Sequence, residues 1–357
     1  MKLNTVICGD CLEVLKTFPD ESIDCCITSP PYWALRDYST NPQIWDGDEK
    51  CKHEWNTRQF KQHSGRGDCQ KSGKYSEQES IPDKNLSDSF CTKCGAWKGS
   101  FGLEPTFQLY IKHLCDIFDE VKRVLKKEGT CWVNMGDTYG GANSRASENG
   151  RAGYGMEREG VYSMGVDKCL CQIPSRFAIE MTNRGWILRN EIIWHKPNCM
   201  PSSAKDRFTV DFEKIFFFTK SKKYYFETQF ENATRDWSKS GGNIMGKGIH
   251  KKGGKIIDNK DGRDISVPRY DRNKRAVWKI PTKPYSEAHF ATYPPALIET
   301  PIKAGCPERG IVLDPFFGSG TSGLVAKNLN RNYIGIELNK EYIKIANRRL
   351  SQGVLQL

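Results

Sequence analysis

The sequence predicts an α/β protein built on a doubly wound, circularly permuted Rossmann-like sheet, with one small cysteine-bearing insertion and one basic segment. Three observations point there. Short apolar runs closed by tight turns alternate with helical periodicity at both ends of the chain. A glycine-rich strand–loop–helix, which opens many nucleotide-binding sheets, stands instead near the C-terminus. Two polar stretches, 40–104 and 234–283, break the α/β rhythm.

Thr5-Val6-Ile7-Cys8 is a short β-branched strand closed by Gly9-Asp10. Leu12, Val14, Leu15 and Phe18 then fall near helical spacing until Pro19-Asp20 breaks the helix. Ile23 to Thr28 is a second apolar strand, ending at Ser29-Pro30-Pro31-Tyr32-Trp33. Two prolines cannot continue a central strand, so the chain must leave the sheet at its carboxyl edge. From Thr106 onward Leu109, Leu114, Ile117, Phe118, Val121, Val124 and Leu125 make one apolar helix face, which Gly129 ends. Thr130 to Met135 is the next strand.

Residues 137–168 show little periodicity, and a loop this long in a compact domain is usually functional or mobile. A helix near 174–184 and strands at 186–194 and 213–219 follow. Regularity returns at Ile311 to Asp314 (strand), the loop to Thr321, a helix to Leu329, a strand from Tyr333 to Glu337 and a last helix from Glu341. These orders reconcile if the C-terminal unit supplies one half of a sheet that the N-terminal strands continue. Loops at the carboxyl ends of neighbouring strands then converge on one ligand site.

The 357 residues allow one large domain or two unequal ones. A formal charge of +11 suits a polyanionic partner, because each Lys or Arg placed on a phosphate releases a counterion. The opening residues carry no long apolar stretch, so no secretory signal is expected. No window approaches the ~18 apolar residues of a membrane span. Of 14 cysteines, Cys25, Cys26, Cys115 and Cys131 sit in apolar runs, where reduced Cys behaves as a small hydrophobe. A reducing, cytoplasmic setting is the simpler expectation.

Three clusters carry chemistry. Gly318 and Gly320 follow a strand and open a helix, where backbone can approach a ligand and the helix N-terminus faces an anion. Glu337 ends the next strand, roughly 20 residues on, where a carboxylate holds ribose hydroxyls in nucleotide-binding folds. By itself such a Gly-x-Gly is as often an ordinary turn. Cys91-Thr-Lys-Cys94-Gly95 has the spacing of a metal knuckle, and Cys51-x-His53 can complete a tetrahedral set for structural zinc. Cys69 is a rival fourth ligand, and exposed cysteines or a redox pair are the alternatives. An insertion so poor in apolar residues needs such a staple. His63 and His113 read as ordinary surface or core histidines.

The third cluster is Ser29-Pro30-Pro31-Tyr32, which in isolation is an ordinary proline-rich turn. Thr28 to Trp33 together with Asp314-Pro315-Phe316-Phe317-Gly318-Ser319-Gly320-Thr321, in that order, closely resembles the DNA amino-methyltransferases of the permuted β group. Gly9-Asp10 to Leu15, Trp132 to Asp137, Ile173 to Arg176, Trp194 to Asn198 and His289 to Pro294 resemble further segments of that family. The resemblance spans most of the chain outside 40–104 and 234–283. It implies a methyltransferase sheet with a zinc-binding insertion and a basic target-recognition region. It also implies S-adenosylmethionine as cofactor, held by Asp10, Thr28, His289, Asp314, Pro315, Phe316, Gly318, Gly320, Thr321 and Glu337.

A base inside a duplex cannot present its exocyclic amine to a sulfonium methyl and must be flipped out. The Ser29 oxygen and the Pro30 carbonyl can orient the amine, the prolines stiffen the turn, and Tyr32 can stack on the base. Trp33 reads as pocket wall or core. Ser at position 29 resembles the cytosine-N4 members more than the adenine-N6 ones. Duplex DNA is the expected partner, read or gripped by Lys196, Arg235, Lys251, Lys252, Arg269, Arg272, Lys274 and Arg275, against the alternative of a merely solvated charged face. The expected division is 1–39 with 105–199 as catalytic half, 40–104 as zinc insertion, 200–285 as target-recognition region and 286–357 as cofactor half. The resemblance also implies a prokaryotic or phage cytoplasm and a companion restriction endonuclease. The competing readings are an adenine-N6 enzyme, a methyltransferase of RNA or protein glutamine, and a non-catalytic zinc-containing DNA-binding protein.

Overall fold

The computed structural model describes residues 1–35, 40–57, 89–140, 168–232, 249–252, 255–258, 271–282 and 293–351. The chain divides into two compact units, Met1–Pro30 with Phe118–Gly136 and Met181–Leu357, and Pro31–Ile117 with Asp137–Glu180.

The first unit is built on eight strands: β1 (Thr5–Cys8), β2 (Ile23–Thr28), β7 (Leu125–Met135), β8 (Ile187–His195), β9 (Phe212–Thr219), β14 (Val277–Lys279), β15 (Ile311–Asp314) and β16 (Asn332–Glu337). Their order across the sheet is β1-β16-β15-β2-β7-β9-β8-β14. Every neighbouring pair is parallel except those made by β9, which runs against both β7 and β8. Strands from the two ends of the chain thus interleave, as the permuted reading expects. β9 and β14, both inside 200–285, are strands of this sheet.

Residues buried on both faces explain the apolar runs: Cys25, Cys26 and Ile27 in β2 and Ile215 to Phe218 in β9 are almost fully enclosed. Trp132 and Phe217 stack at 3.9 Å across β7 and β9. The helices α1 (Cys11–Lys16), α4 (Pro295–Gly305) and α5 (Thr321–Asn328) return the chain between strands, and α6 (Lys340–Ser351) follows the last of them. Helix α4 packs on α5 and β2, while α6 packs on β1. Two-stranded ribbons join β10 (Phe230–Asn232) to β13 (Asp271–Asn273) and β11 (Ile249–Lys252) to β12 (Lys255–Asp258).

The second unit holds a four-stranded antiparallel sheet, β3 (Gln43–Trp45), β6 (Trp97–Gly99), β5 (Ser89–Cys91) and β4 (Trp55–Thr57), in that spatial order. The division between units falls inside α2 (Phe107–Val124) and α3 (Ile173–Asn183). Helix α2 ends five residues before Gly129, because β7 begins earlier than its apolar centre suggests. His113 is fully buried beside Trp45, whose ring stacks on it at 4.6 Å. Its two ring nitrogens lie 3.2 Å from Glu104 and 3.1 Å from Asp46.

Candidate active site

Parallel pairing of β15 with β2, Leu313 opposite Cys26, brings the ends of both strands out side by side. Asp314 closes β15 and is buried, yet four donors surround its carboxylate. Thr28 Oγ1 donates at 2.5 Å, Ser322 Oγ at 2.6 Å, the Phe316 N–H at 3.0 Å and Tyr293 Oη at 3.3 Å. Burial still raises the Asp314 carboxyl above its ordinary value, against the pull of these donors. Thr28 and Asp314 therefore tie the loop after β15 to the strand that delivers Ser29.

The loop then turns through Gly318 (φ 52°) and Gly320 (φ 81°), left-handed positions that glycine adopts without a Cβ clash. A Cβ on Gly320 would sit 3.0 Å from that of Ala346, so close helix packing also requires it. At Gly318, its chain neighbours aside, no heavy atom of the described residues lies within 4 Å of where a Cβ would stand, which leaves its outer side open to a ligand. Phe317, by contrast, is core, stacked on Tyr333 at 5.9 Å, and Phe316 is the half-buried ring of the pair. Pro315 is buried beside Asp314.

Glu337 ends β16 and uses both oxygens on backbone, accepting from the Gly318 N–H and the Asn339 N–H at 2.7 Å each. Burial raises its carboxyl above the ordinary value. Cys8 pairs with Glu337 across β1 and β16, so Asp10 follows at the same edge. There it caps α1 by accepting from the Glu13 N–H at 3.0 Å, and burial raises it as well. Three carboxylates thus stand at neighbouring strand ends. The Thr321 hydroxyl accepts from Arg349 at 3.2 Å, alongside the Ser319 hydroxyl and carbonyl, which gives it a packing role. Tyr293 and Ser322 had no assigned role from sequence. A hydroxyl two residues into α5 was the available signal for Ser322.

Ser29 is half-buried and Pro30 buried at the end of β2. In the second unit the Pro31 carbonyl accepts from Tyr110 Oη at 2.8 Å, and Gly102 closes over the Pro31 ring. Tyr32 is half-buried, and Trp33 is core, donating its ring N–H to the Glu104 carbonyl at 2.9 Å. Prolines and these contacts fix the backbone on either side of Tyr32.

Cys51, His53, Cys91 and Cys94 bring their ligand atoms within 4.8 Å of one another. Cys51 and Cys91 sulfurs are 3.9 Å apart, and the Cys94 sulfur is 3.4 Å from His53 Nδ1. A tetrahedral zinc with bonds of ~2.0–2.3 Å has edges of roughly 3.4–3.8 Å, so the set fits such an ion. Gly95 (φ 75°) makes the knuckle turn, its N–H bonding the Cys91 carbonyl at 2.9 Å. Although burial opposes ionisation, backbone groups around the turn and His53 draw the Cys91 thiol down to about 5. The rival ligand Cys69 lies outside the described residues.

Of the basic candidates, Lys196 pairs with Glu213 and lies 4.5 Å over the Trp194 ring. Arg272 and Arg275 both reach Glu231, at 2.9 and 2.6 Å, and Lys274 lies over Trp278 at 5.5 Å. Lys251 and Lys252 are on β11, with side chains outside the described residues, as are Arg235, Arg269 and His289 altogether.

A family model described as DNA methylase, of the N6/N4 methyltransferases, matches residues 23–348. The chain is 35% identical over 350 residues to the Type II methyltransferase M.XycI of Xanthomonas campestris pv. cyanopsidis, covering 97% of this chain and 87% of that one. It is 34% identical over 349 residues to the Type II methyltransferase M.SmaI of Serratia marcescens, covering 97% and 90%. Among solved structures, the cytosine-N4-specific PvuII DNA methyltransferase shares the fold, with a TM-score of 0.56 at 18% identity over 100% of this chain and 89% of that one. Two interleaved half-sheets, the bonded ends of β2 and β15 and a relationship running the length of the chain lead to one assignment: the protein belongs to the N6/N4 DNA methylase family.

Proposed function

We propose that the protein is a Type II DNA methyltransferase that flips a cytosine from duplex DNA and methylates its N4 amine. The observation that carries this reading is the Thr28–Asp314 hydrogen bond, which ties the strand delivering Ser29-Pro30 to the glycine loop of a methyltransferase fold. S-adenosylmethionine supplies an electrophilic methyl group on a sulfonium when bound. The open side of Gly318 leaves room for such a cofactor, and the carboxylates of Asp10 and Glu337 suit its positive charge and ribose hydroxyls.

Ser29 and the Pro30 carbonyl accept hydrogen bonds from the amine and turn its lone pair toward the methyl, which is catalysis by positioning. Tyr32 stacks on the extruded base, a contact of ~1–3 kcal/mol. Asp314 never meets substrate in this scheme and holds the two strand ends together. Zinc at Cys51, His53, Cys91 and Cys94 is structural and outside the chemistry. The β11–β12 ribbon, with Lys251, Lys252 and Lys255, supplies phosphate contacts. The relatives' Type II character supports a companion restriction endonuclease in the cell.

Adenine N6 is the second reading, because the family spans both bases. Tritiated methyl transfer to unmethylated phage DNA, followed by nucleoside analysis, separates them. N4-methylcytosine is expected, and N6-methyladenine alone overturns the base while sparing the enzyme class. Tyr32→Ala should cut transfer about fivefold or more at normal cofactor affinity, in line with ~1–3 kcal/mol of lost stacking. Unaltered turnover in that variant would remove Tyr32 from the site.

A further inference from the structure

Residues 196–211 join the carboxyl end of β8 to the start of β9. β8 is parallel to β7 through the reversed β9, so this loop rises from the same sheet edge as the ends of β2, β15 and β16. Its feet are fastened. The Lys196 N–H bonds the Asp211 carbonyl at 2.7 Å, and His195 lies 3.3 Å from the Asp211 carboxylate. Asn198 grips Thr282 in both directions, donating to its carbonyl at 2.9 Å and accepting from its N–H at 2.8 Å. Above these feet the loop presents apolar side chains to solvent. Phe208 is 96% exposed and Met200 88%, whereas the next most exposed aromatic among the described residues, Phe230, is 58% exposed.

An aromatic ring left almost wholly in water on an anchored loop keeps its full apolar surface available for stacking against a partner. The charge beside it names the class. Lys205 and Arg207 flank Phe208 on its N-terminal side, with Asp206 between them, on a chain of net charge +11. Drawing one base out of a duplex leaves a gap in the stack, and apolar wedges can fill such gaps. We propose that Phe208 is the wedge that enters the DNA stack where the target base leaves, holding the base in its extruded position. The inference rests on the reading of methyl transfer to a base in duplex DNA, and it makes Phe208 a positioning residue. A hydrophobic contact with a second copy of the chain is the competing occupant.

The test uses the full chain and a short duplex carrying the site mapped by sequencing phage DNA that the wild type has methylated. A second duplex holds the same target base in a mismatch, where extrusion is already easier. Phe208→Ala should lower kcat on the matched duplex by about tenfold or more and lose much less on the mismatched one, at unchanged cofactor affinity and thermal stability. Phe208→Trp should restore most of the rate. Methylation by the wild type establishes the parent reading independently of either variant. Equal losses on the two duplexes, no loss on either, or a change of oligomeric state on gel filtration would each overturn the wedge.

Discussion

Around Asp314 four donors from β2, the entry to α4, the glycine loop and α5 already satisfy a buried carboxylate. At Cys51, His53, Cys91 and Cys94, four electron-rich ligand atoms instead face one another across less than 4.8 Å. The first arrangement is complete from the chain's own groups. The second is complementary to a cation from outside. The difference lies in the sequence that surrounds each. Asp314 ends a strand paired on both sides within an eight-stranded sheet and is buried whatever binds, while β3 to β6 are three residues each. A sheet that small is of the kind that a structural metal would stabilise, where the large one is stabilised by its core.

The contrast is broken most decisively at the knuckle. Purified protein should carry one zinc per chain, and Cys91→Ser or a strong chelator should release it. Structural zinc contributes ~10–16 kcal/mol in small modules, so loss should be close to all-or-none. Limited proteolysis should then cut within 51–94 while cofactor binding by the other unit persists. Zinc-free protein that resists protease across 51–94 would remove the contrast altogether.

A middle-sized effect belongs to Glu337. Glu337→Ala should weaken cofactor binding by ~1.5–3 kcal/mol, the worth of hydrogen bonds to a charged group, measured by titration calorimetry. The pH dependence follows from the raised carboxyl. Binding uses the ionised form, so affinity falls as acidification carries the pH down through the Glu337 value. Because burial has moved that value upward, the decline should begin at a higher pH than for an ordinary glutamate near 4.5. A profile flat down to that ordinary value would place the cofactor away from Glu337.

The smallest effect tests whether the Asp314 arrangement yields in steps. Ser322→Ala removes one of four donors and should cost about 1 kcal/mol by urea unfolding, leaving the carboxylate three partners. Collapse on the scale of Cys91→Ser would make both clusters all-or-none and erase the distinction.

The sequence revealed the parts of the fold that local pattern encodes. β1, β2 and β15 are apolar runs ended by Gly or Pro, β16 is an apolar run ended by the acidic Glu337, and all four lie where those patterns put them. The reversal of β9 was not legible, because Phe216-Phe217-Phe218 is equally apolar in either direction. Strands β3 to β6 escaped notice since three residues hold too little alternation to register. The glycine loop and Glu337 could be read from spacing. Their supports could not, since Tyr293 and Thr28 reach Asp314 from 21 and 286 residues away. His113 passed as an ordinary histidine, and only the fold sets it between Glu104 and Asp46.

The pairing of β1 with β16 has a consequence for the protein's birth. Among the described residues β1 has no other neighbour in the sheet, and Asn4 and Tyr333, which exchange hydrogen bonds there, are 329 residues apart. A ribosome adding ~5–20 residues per second needs on the order of tens of seconds to span that distance. Throughout that interval Thr5–Cys8 waits without its partner, and the Asp10 end of the edge cannot meet Glu337. Brevity makes the wait safe: four residues offer other nascent chains little to pair with. On the proposed assignment of Asp10 and Glu337 to the cofactor, competence to bind it would therefore arrive late in translation, after the strands proposed to receive the base have already been made.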